Sequence, residues 1–71
     1  MEFFMSDQNK ILRLRAVISK TGLSRSSIYN LLDRGEFPKR VRLSLRTIGF
    51  LESEIDQWIA RRAEDRGGEN V

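Results

Sequence analysis

Seven polar side chains in one short stretch of the sequence have the chemistry needed to bind nucleic acid. They are Ser24, Arg25, Ser26, Ser27, Tyr29, Asn30 and Arg34. Arginine can pair bidentately with guanine, and asparagine with adenine, at base edges in the major groove, while hydroxyl groups suit phosphate oxygens. The alternative is an ordinary solvated helix face. We predict that these side chains contact DNA, with Tyr29 reaching a phosphate through its hydroxyl more readily than a base.

The spacing of apolar residues places these polar side chains on one face of a helix. Apolar positions at i, i+3 and i+4 predict a buried stripe made of Ile28, Leu31 and Leu32. The helix is predicted over residues 25–34. Gly35 is expected to end it in a left-handed conformation, because glycine has no Cβ to clash there. Pro38 then prevents any continuation, since it disfavours helical angles in the residue before it.

A sharp turn is predicted just before this helix. Gly22 can adopt the backbone angles that a turn between two helices needs, and Ser24 follows at the position where a hydroxyl caps a helix. A preceding helix is expected from residue 15 to residue 20 or 21. It is too short to be stable alone and must therefore pack on its neighbour. Residues 11–14, including Leu14, are predicted to form an extended lead-in.

Beyond residue 39 the pattern changes, because apolar and basic residues alternate. This period of two predicts two short strands, near 41–44 and 47–51, with a bend at 44–46. The bend has no Asn-Gly or Gly-Gly pair, so its turn type stays open. The basic side chains of this whole stretch could merely keep an edge strand soluble. We predict instead that they contact phosphates or the minor groove. They are Lys39, Arg40, Arg42 and Arg46.

The charge of the chain is unevenly distributed. The net charge of +3 comes from −2 in residues 1–9, +8 in residues 10–46 and −3 in residues 47–71. A positive block beside a negative one is typical of a protein with one phosphate-facing surface. Three further basic residues flank the first helix and could reach the DNA backbone: Arg13, Arg15 and Lys20.

A last helix is predicted to begin near residue 52 or 53. Acidic residues in its first turn suit the positive end of the helix dipole, and Trp58 lies on its apolar stripe, which favours a core position over a ligand-stacking role. Residues 1–9 are expected to be a flexible leader, and residues 65–71 a disordered tail. The predicted core comprises Leu12, Leu14, Val17, Ile18, Leu23, Ile28, Leu31, Leu32, Phe37, Val41, Leu43, Ile48, Phe50, Ile55, Trp58 and Ile59.

The composition argues against several functional classes. The 71 residues include no cysteine and no histidine, so we predict no disulfide, no cofactor or metal, and no enzyme. No apolar run approaches the roughly 20 residues of a membrane span. A cytoplasmic protein is therefore expected. The order of elements predicts a mainly α fold with a small β-hairpin, namely a winged helix-turn-helix over residues 10–64.

Several blocks of the sequence together resemble the AlpA family of phage-derived transcriptional regulators. The blocks are residues 12–14, 21–29, 35–39, 46–50 and 51–59. The resemblance covers about residues 10–63 and implies a MerR-type DNA-binding domain that is similar to small phage excisionases. Two departures from the family pattern occur, since Ser44 and Leu45 stand where glycine and proline are usual, and Phe50 stands where tryptophan is usual.

These observations leave three functions open. The first is a sequence-specific transcriptional regulator of prophage or genomic-island genes, with helix 25–34 in the major groove. The second is an excisionase that bends attachment-site DNA and sets the direction of an integrase. The third is a protein-interaction module that inhibits a regulator or an integrase. The expected partners are double-stranded DNA and either an integrase or RNA polymerase. One module is small, so a homodimer or a cooperative array on DNA is also expected.

Overall fold

A computed structural model of the chain describes residues 10–65. Its elements follow the order β1 (Ile11–Leu12), α1 (Leu14–Thr21), α2 (Arg25–Asp33), β2 (Val41–Arg42), β3 (Ile48–Leu51) and α3 (Glu52–Asp65). The predicted order of strand, helix, turn, helix, hairpin and helix is confirmed. The predicted leader and all but the first residue of the predicted tail lie outside the described residues. Asp65 itself belongs to α3, so the predicted start of the tail is wrong by one residue.

Helix α1 begins one residue earlier than predicted. Leu14 was expected in the extended lead-in, but it is the first residue of α1, where it joins the apolar face of Val17 and Ile18 at i+3 and i+4. The helix ends at Gly22, whose φ of 77° is left-handed and whose N–H donates to the Ile18 carbonyl at 2.8 Å. The predicted role of Gly22 in the turn is therefore confirmed.

Local hydrogen bonds fix both ends of α2. The Ser24 hydroxyl accepts a hydrogen bond from the Ser27 N–H at 3.1 Å, which confirms the predicted cap. At the other end, Gly35 has a φ of 71°. The Gly35 N–H donates to the Leu32 carbonyl at 3.0 Å and the Glu36 N–H to the Leu31 carbonyl at 2.9 Å, the two bonds of a Schellman motif. The predicted helix end is confirmed to within one residue.

The strands form one antiparallel sheet in the order β1-β3-β2. Leu12 pairs with Phe50 on one side of β3, and Val41 pairs with Gly49 on the other. The predicted hairpin is present, but β2 is two residues long and not four, because after Arg42 the chain already bends towards Thr47. The pairing of β1 with β3 was not predicted.

The core lies between the sheet and the three helices. Its fully buried side chains include Phe50, Ile28, Ile55 and Val17, and the Phe37 ring meets the Phe50 ring edge-on at 5.8 Å. Most of the predicted core is confirmed as buried or half-buried against this cluster.

The prediction that Leu43 belongs to the core is wrong, since its side chain is 45% exposed. A Cβ on Gly49 would lie 3.3 Å from Leu43 Cδ1, and side chains alternate across a strand. Leu43 therefore lies on one face of the sheet, and the Phe50 side chain lies on the opposite face. The half-buried Val41 and Ile48 also lie outside the core cluster.

Candidate nucleic-acid interface

Helix α2 presents its polar face to solvent. Ile28 on its apolar face is fully buried against the core. Ser27 is half-buried, and the other polar side chains of the predicted interface on and around α2 are exposed. They are Ser24, Arg25, Ser26, Tyr29, Asn30 and Arg34. The fold thus exposes arginine, hydroxyl and amide groups along one side of α2.

The N-terminus of α2 is shaped by a pair of hydroxyl groups. Ser24 Oγ donates to Ser27 Oγ at 3.0 Å and also accepts the Ser27 N–H. Both hydroxyls thereby hold the helix start in place. They leave Arg25 and Ser26 exposed in the first turn, where the positive end of the helix dipole favours an anion such as a phosphate.

The wing, which we define as residues 39–51, carries positive charge without nearby compensation. Its four basic side chains are all exposed, and none forms an ion pair with any residue in the described range 10–65. The sequence contains no acidic residue between Phe37 and Leu51. Such a surface attracts a polyanion because its field is not cancelled locally. The four cations are Lys39, Arg40, Arg42 and Arg46.

One aromatic side chain joins α2 to the wing. Phe37 follows the turn that ends α2, is buried, and packs on Phe50 of β3 at 5.8 Å between ring centroids. It also packs on Trp58 of α3 at 4.9 Å. Because rigid rings in contact restrict movement of the backbone on each side, Phe37 holds α2 and the sheet together.

Lys20 has partners that sequence reasoning missed. It was predicted, with Arg13 and Arg15, to be available to the DNA backbone. Lys20 Nζ instead lies 2.8 Å from Glu52 Oε2 and 2.9 Å from Asp56 Oδ1. The hydrogen bonds to Glu52 and then to Asp56 raise the pKa of the Lys20 ammonium above its ordinary value. No local signal could have found this, because the contact spans more than 30 positions of sequence.

The two other basic residues near α1 differ from Lys20. Arg13 and Arg15 are exposed, and neither forms an ion pair with a residue between 10 and 65. Their predicted backbone contacts remain predictions. A further acid–base contact within residues 10–65 is on the surface, where Arg34 Nη1 lies 3.7 Å from Glu36 Oε1. An exposed pair at that distance restrains Arg34 only weakly.

A groove of about 610 Å³ lies on another part of the surface, between the 35–39 loop and α3. Its floor includes Trp58, whose Nε1 donates to the Glu36 carbonyl at 3.0 Å and whose ring lies 4.8 Å from the Arg62 guanidinium carbon. Trp58 is half-buried and packs against the core, as predicted.

Residues 10–65 contain neither a candidate metal site nor a candidate membrane span. No group of three or more acidic, cysteine or histidine side chains there could hold a metal ion. Within the same range, none of the helices has the length and apolar character required to cross a bilayer.

Comparison with known proteins identifies the family of this chain. Residues 10–63 match the model of the family described as prophage CP4-57 regulatory protein (AlpA). The chain is 41% identical over 61 residues to the DNA-binding transcriptional activator AlpA of Escherichia coli strain K12, covering 78% of this chain and 87% of the relative. It is 42% identical over 59 residues to the uncharacterized protein ORF88 of Enterobacteria phage P4, covering 83% of this chain and 67% of the relative. The family model and these identities agree with the observed three-helix winged fold, and the chain belongs to the AlpA family of prophage regulatory proteins.

Proposed function

We propose that this chain is a sequence-specific DNA-binding transcriptional regulator of prophage or genomic-island genes. The regulator class rests on membership of the AlpA family and on the similarity to a relative named as a DNA-binding transcriptional activator. We assign the binding activity to residues 10–64 and place α2 in the major groove. The single observation that carries this assignment is the exposed polar face of α2 opposite the buried Ile28.

In this proposal the residues of α2 divide into two groups. Arg25 and Asn30 read base edges, because their side chains can form bidentate hydrogen bonds with guanine and adenine. Ser26, Ser27 and Arg34 contact phosphates and so set the register of the helix on the duplex. Ser24 contacts a phosphate by exchanging its hydrogen bond to Ser27 Oγ for one to a phosphate oxygen. Tyr29 is 42% exposed, and its hydroxyl adds a phosphate contact.

The wing supplies the second contact in this proposal. Its cations, Lys39, Arg40, Arg42 and Arg46, lie in or next to a sheet that is anchored in the core through Phe50. Wing residues with uncompensated charge contact the DNA backbone or the minor groove beside the recognition helix. Contacts of this kind add affinity for all sequences, whereas α2 selects among them.

Further partners and the cellular site complete the proposal. A module of this size buries little surface on DNA, so useful affinity requires a homodimer or adjacent copies along the duplex. Transcriptional activation would then involve RNA polymerase. We propose that the protein acts in the cytoplasm, on the nucleoid, without catalysing a reaction and without a cofactor.

The experiment that tests this function combines site selection with a binding measurement. A pool of random duplexes is enriched with the wild-type protein, and the selected site is compared with a scrambled duplex by mobility shift. Arg25→Ala should weaken binding to the selected site by about 1–3 kcal/mol and relax selectivity at one base position.

The matched control is Arg61→Ala, which removes the same charge from an exposed position on α3. It should leave selectivity unchanged. If Arg25→Ala bound selected and scrambled DNA as the wild type does, α2 would not be the recognition helix.

The excisionase function uses the same surface on different DNA. Footprinting would place the protein at an attachment site in that case and upstream of a promoter in the case of a regulator. An excision assay with and without the protein would separate the two directly.

A protein-interaction module is the other candidate, and the Trp58 groove is the observation that favours it. Such a module would show no salt-dependent mobility shift with genomic DNA fragments.

A further inference from the structure

Leu45 is the most exposed large apolar side chain in the described range. It is 88% exposed, whereas the next two, Leu43 and Tyr29, are 45% and 42% exposed. Burying a leucine side chain is favourable relative to leaving it in water, because apolar surface is removed from contact with water. The free protein gains almost none of this from Leu45. The folded chain therefore retains apolar surface that a partner can cover.

The backbone holds Leu45 at the tip of the wing. The Leu43 N–H donates to the Thr47 carbonyl at 2.7 Å, and the Ser44 N–H donates to the same carbonyl at 3.2 Å. The Thr47 N–H returns a bond to the Ser44 carbonyl at 3.4 Å. These bonds close the bend, and β3 behind it carries the fully buried Phe50. The tip is thus presented by a sheet that is fixed in the core.

The charges beside Leu45 indicate which partner fits. Arg46 follows it directly and Arg42 lies on the opposite arm of the bend, and both are exposed with no acidic partner in residues 10–65. Two wing tips of this charge would repel each other, which disfavours a second copy of the chain as the occupant. An apolar side chain between cations instead suits a groove that is negatively charged at its edges and apolar between its stacked bases.

We propose that Leu45 is a minor-groove wedge that inserts between two base pairs and bends the DNA. This inference rests on the proposed function and adds a residue that deforms the duplex. Apolar side chains that enter the minor groove partly unstack one base step and kink the helix away from them. The unstacking is unfavourable, and burial of the wedge together with the additional phosphate contacts offsets it. Bending of this kind selects flexible steps such as TA or CA, so Leu45 contributes to specificity without hydrogen bonds.

Energy transfer between dyes on the two ends of a short duplex measures the bend. The duplex carries the site selected above, and 2-aminopurine replaces one adenine at a time so that its fluorescence reports unstacking. We expect the wild-type protein to shorten the end-to-end distance and to raise the fluorescence at one step. Leu45→Ala should abolish most of both signals while weakening binding less than about tenfold, and Leu45→Phe should restore them.

Two controls separate the wedge from charge and from folding. Arg61→Ala should bend DNA as the wild type does. Leu45→Ala should unfold at the wild-type urea concentration, because a side chain that is 88% exposed adds little to the core.

Four results would overturn the proposal. If the wild type bound the selected site without bending it, or if Leu45→Ala bent it equally, the wedge would be wrong while the proposed function stood. If Leu45→Ala converted a dimer to a monomer in sedimentation with the bend unchanged, the tip would be a contact between copies. If the wild type bound no DNA at all, the proposed function would fail together with the wedge.

Discussion

Trp58 Nε1 donates a hydrogen bond to the backbone carbonyl of Glu36 at 3.0 Å. The bond joins α3 to the turn that ends α2, and its two residues are 22 positions apart in the sequence. The Trp58 ring also meets the Phe37 ring at 4.9 Å. The C-terminal helix therefore supports the segment that links α2 to the wing.

Trp58→Phe removes this hydrogen bond and keeps an aromatic ring against Phe37. We expect it to lower the free energy of unfolding by about 0.5–1.5 kcal/mol, because the Glu36 carbonyl loses its donor. Urea unfolding would measure the loss, and the denaturant m-value should equal that of the wild type. Arg62→Met is the companion variant, because it removes the cation from the Trp58 ring. It measures separately what the cation–π contact contributes to the free energy of unfolding. Equal stability of Trp58→Phe and the wild type would show that the hydrogen bond contributes nothing.

The ion pairs of Lys20 predict how stability depends on alkaline pH. Hydrogen bonds to Glu52 and then Asp56 raise the pKa of Lys20 above its ordinary 10.5, so the folded state holds the proton more tightly than the unfolded state does. The resulting stabilisation is complete below that ordinary value and is lost as the pH rises through the higher folded value. Wild-type stability should therefore fall more steeply above pH 10.5 than that of Lys20→Met. The two curves should converge at high pH, and added salt should narrow the difference between them.

Urea midpoints measured over a pH series would test the Lys20 prediction. Lys39→Met is the matched control, because Lys39 is an exposed lysine with no ion pair inside residues 10–65. Its pH dependence should follow that of the wild type. Parallel curves for wild type and Lys20→Met would contradict the prediction.

Gly49 has no room for a side chain in the central strand. A Cβ there would overlap Ile11 Cγ2 and would lie 3.1 Å from the Leu12 carbonyl oxygen. We expect Gly49→Ala to destabilise the protein by about 1–3 kcal/mol, because the strand pair or the Ile11 side chain must shift. A double-mutant cycle in urea provides the check. Gly49→Ala should cost less in an Ile11→Ala background, where the obstructing methyl group is absent. Strict additivity would mean that Ile11 is not the obstruction.

Arg46→Ala should weaken binding to selected and scrambled DNA alike. A phosphate contact from the wing carries no sequence information, so its loss reduces affinity uniformly. The slope of log affinity against log salt should fall in magnitude by about 1. Mobility shifts at several salt concentrations would give the slope, with Arg61→Ala as the arginine that should leave it unchanged. A slope equal to that of the wild type would remove Arg46 from the interface.

The sequence by itself determined the features that depend on neighbouring residues. Gly22 and Gly35 take left-handed angles, and Ser24 caps the helix between them, because turns and caps are made by groups a few positions apart. The apolar stripe of α2 follows from helical periodicity alone, so it also told which side would be polar and exposed. The family resemblance pointed to the same segments and is confirmed by the match over residues 10–63.

Only the tertiary structure decided the contacts between distant segments. Two such contacts are the pairing of Ile11 with Leu51 and the ion pair between Lys20 and Glu52 of α3. The exposure of Leu43 likewise depends on how the sheet packs on the rest of the fold. A period of two marks alternate faces of a strand, but it does not say which face meets the core. Both Phe50 and Leu43 were predicted to lie in the core, and the packing of the sheet against the helices buried Phe50 but left Leu43 45% exposed.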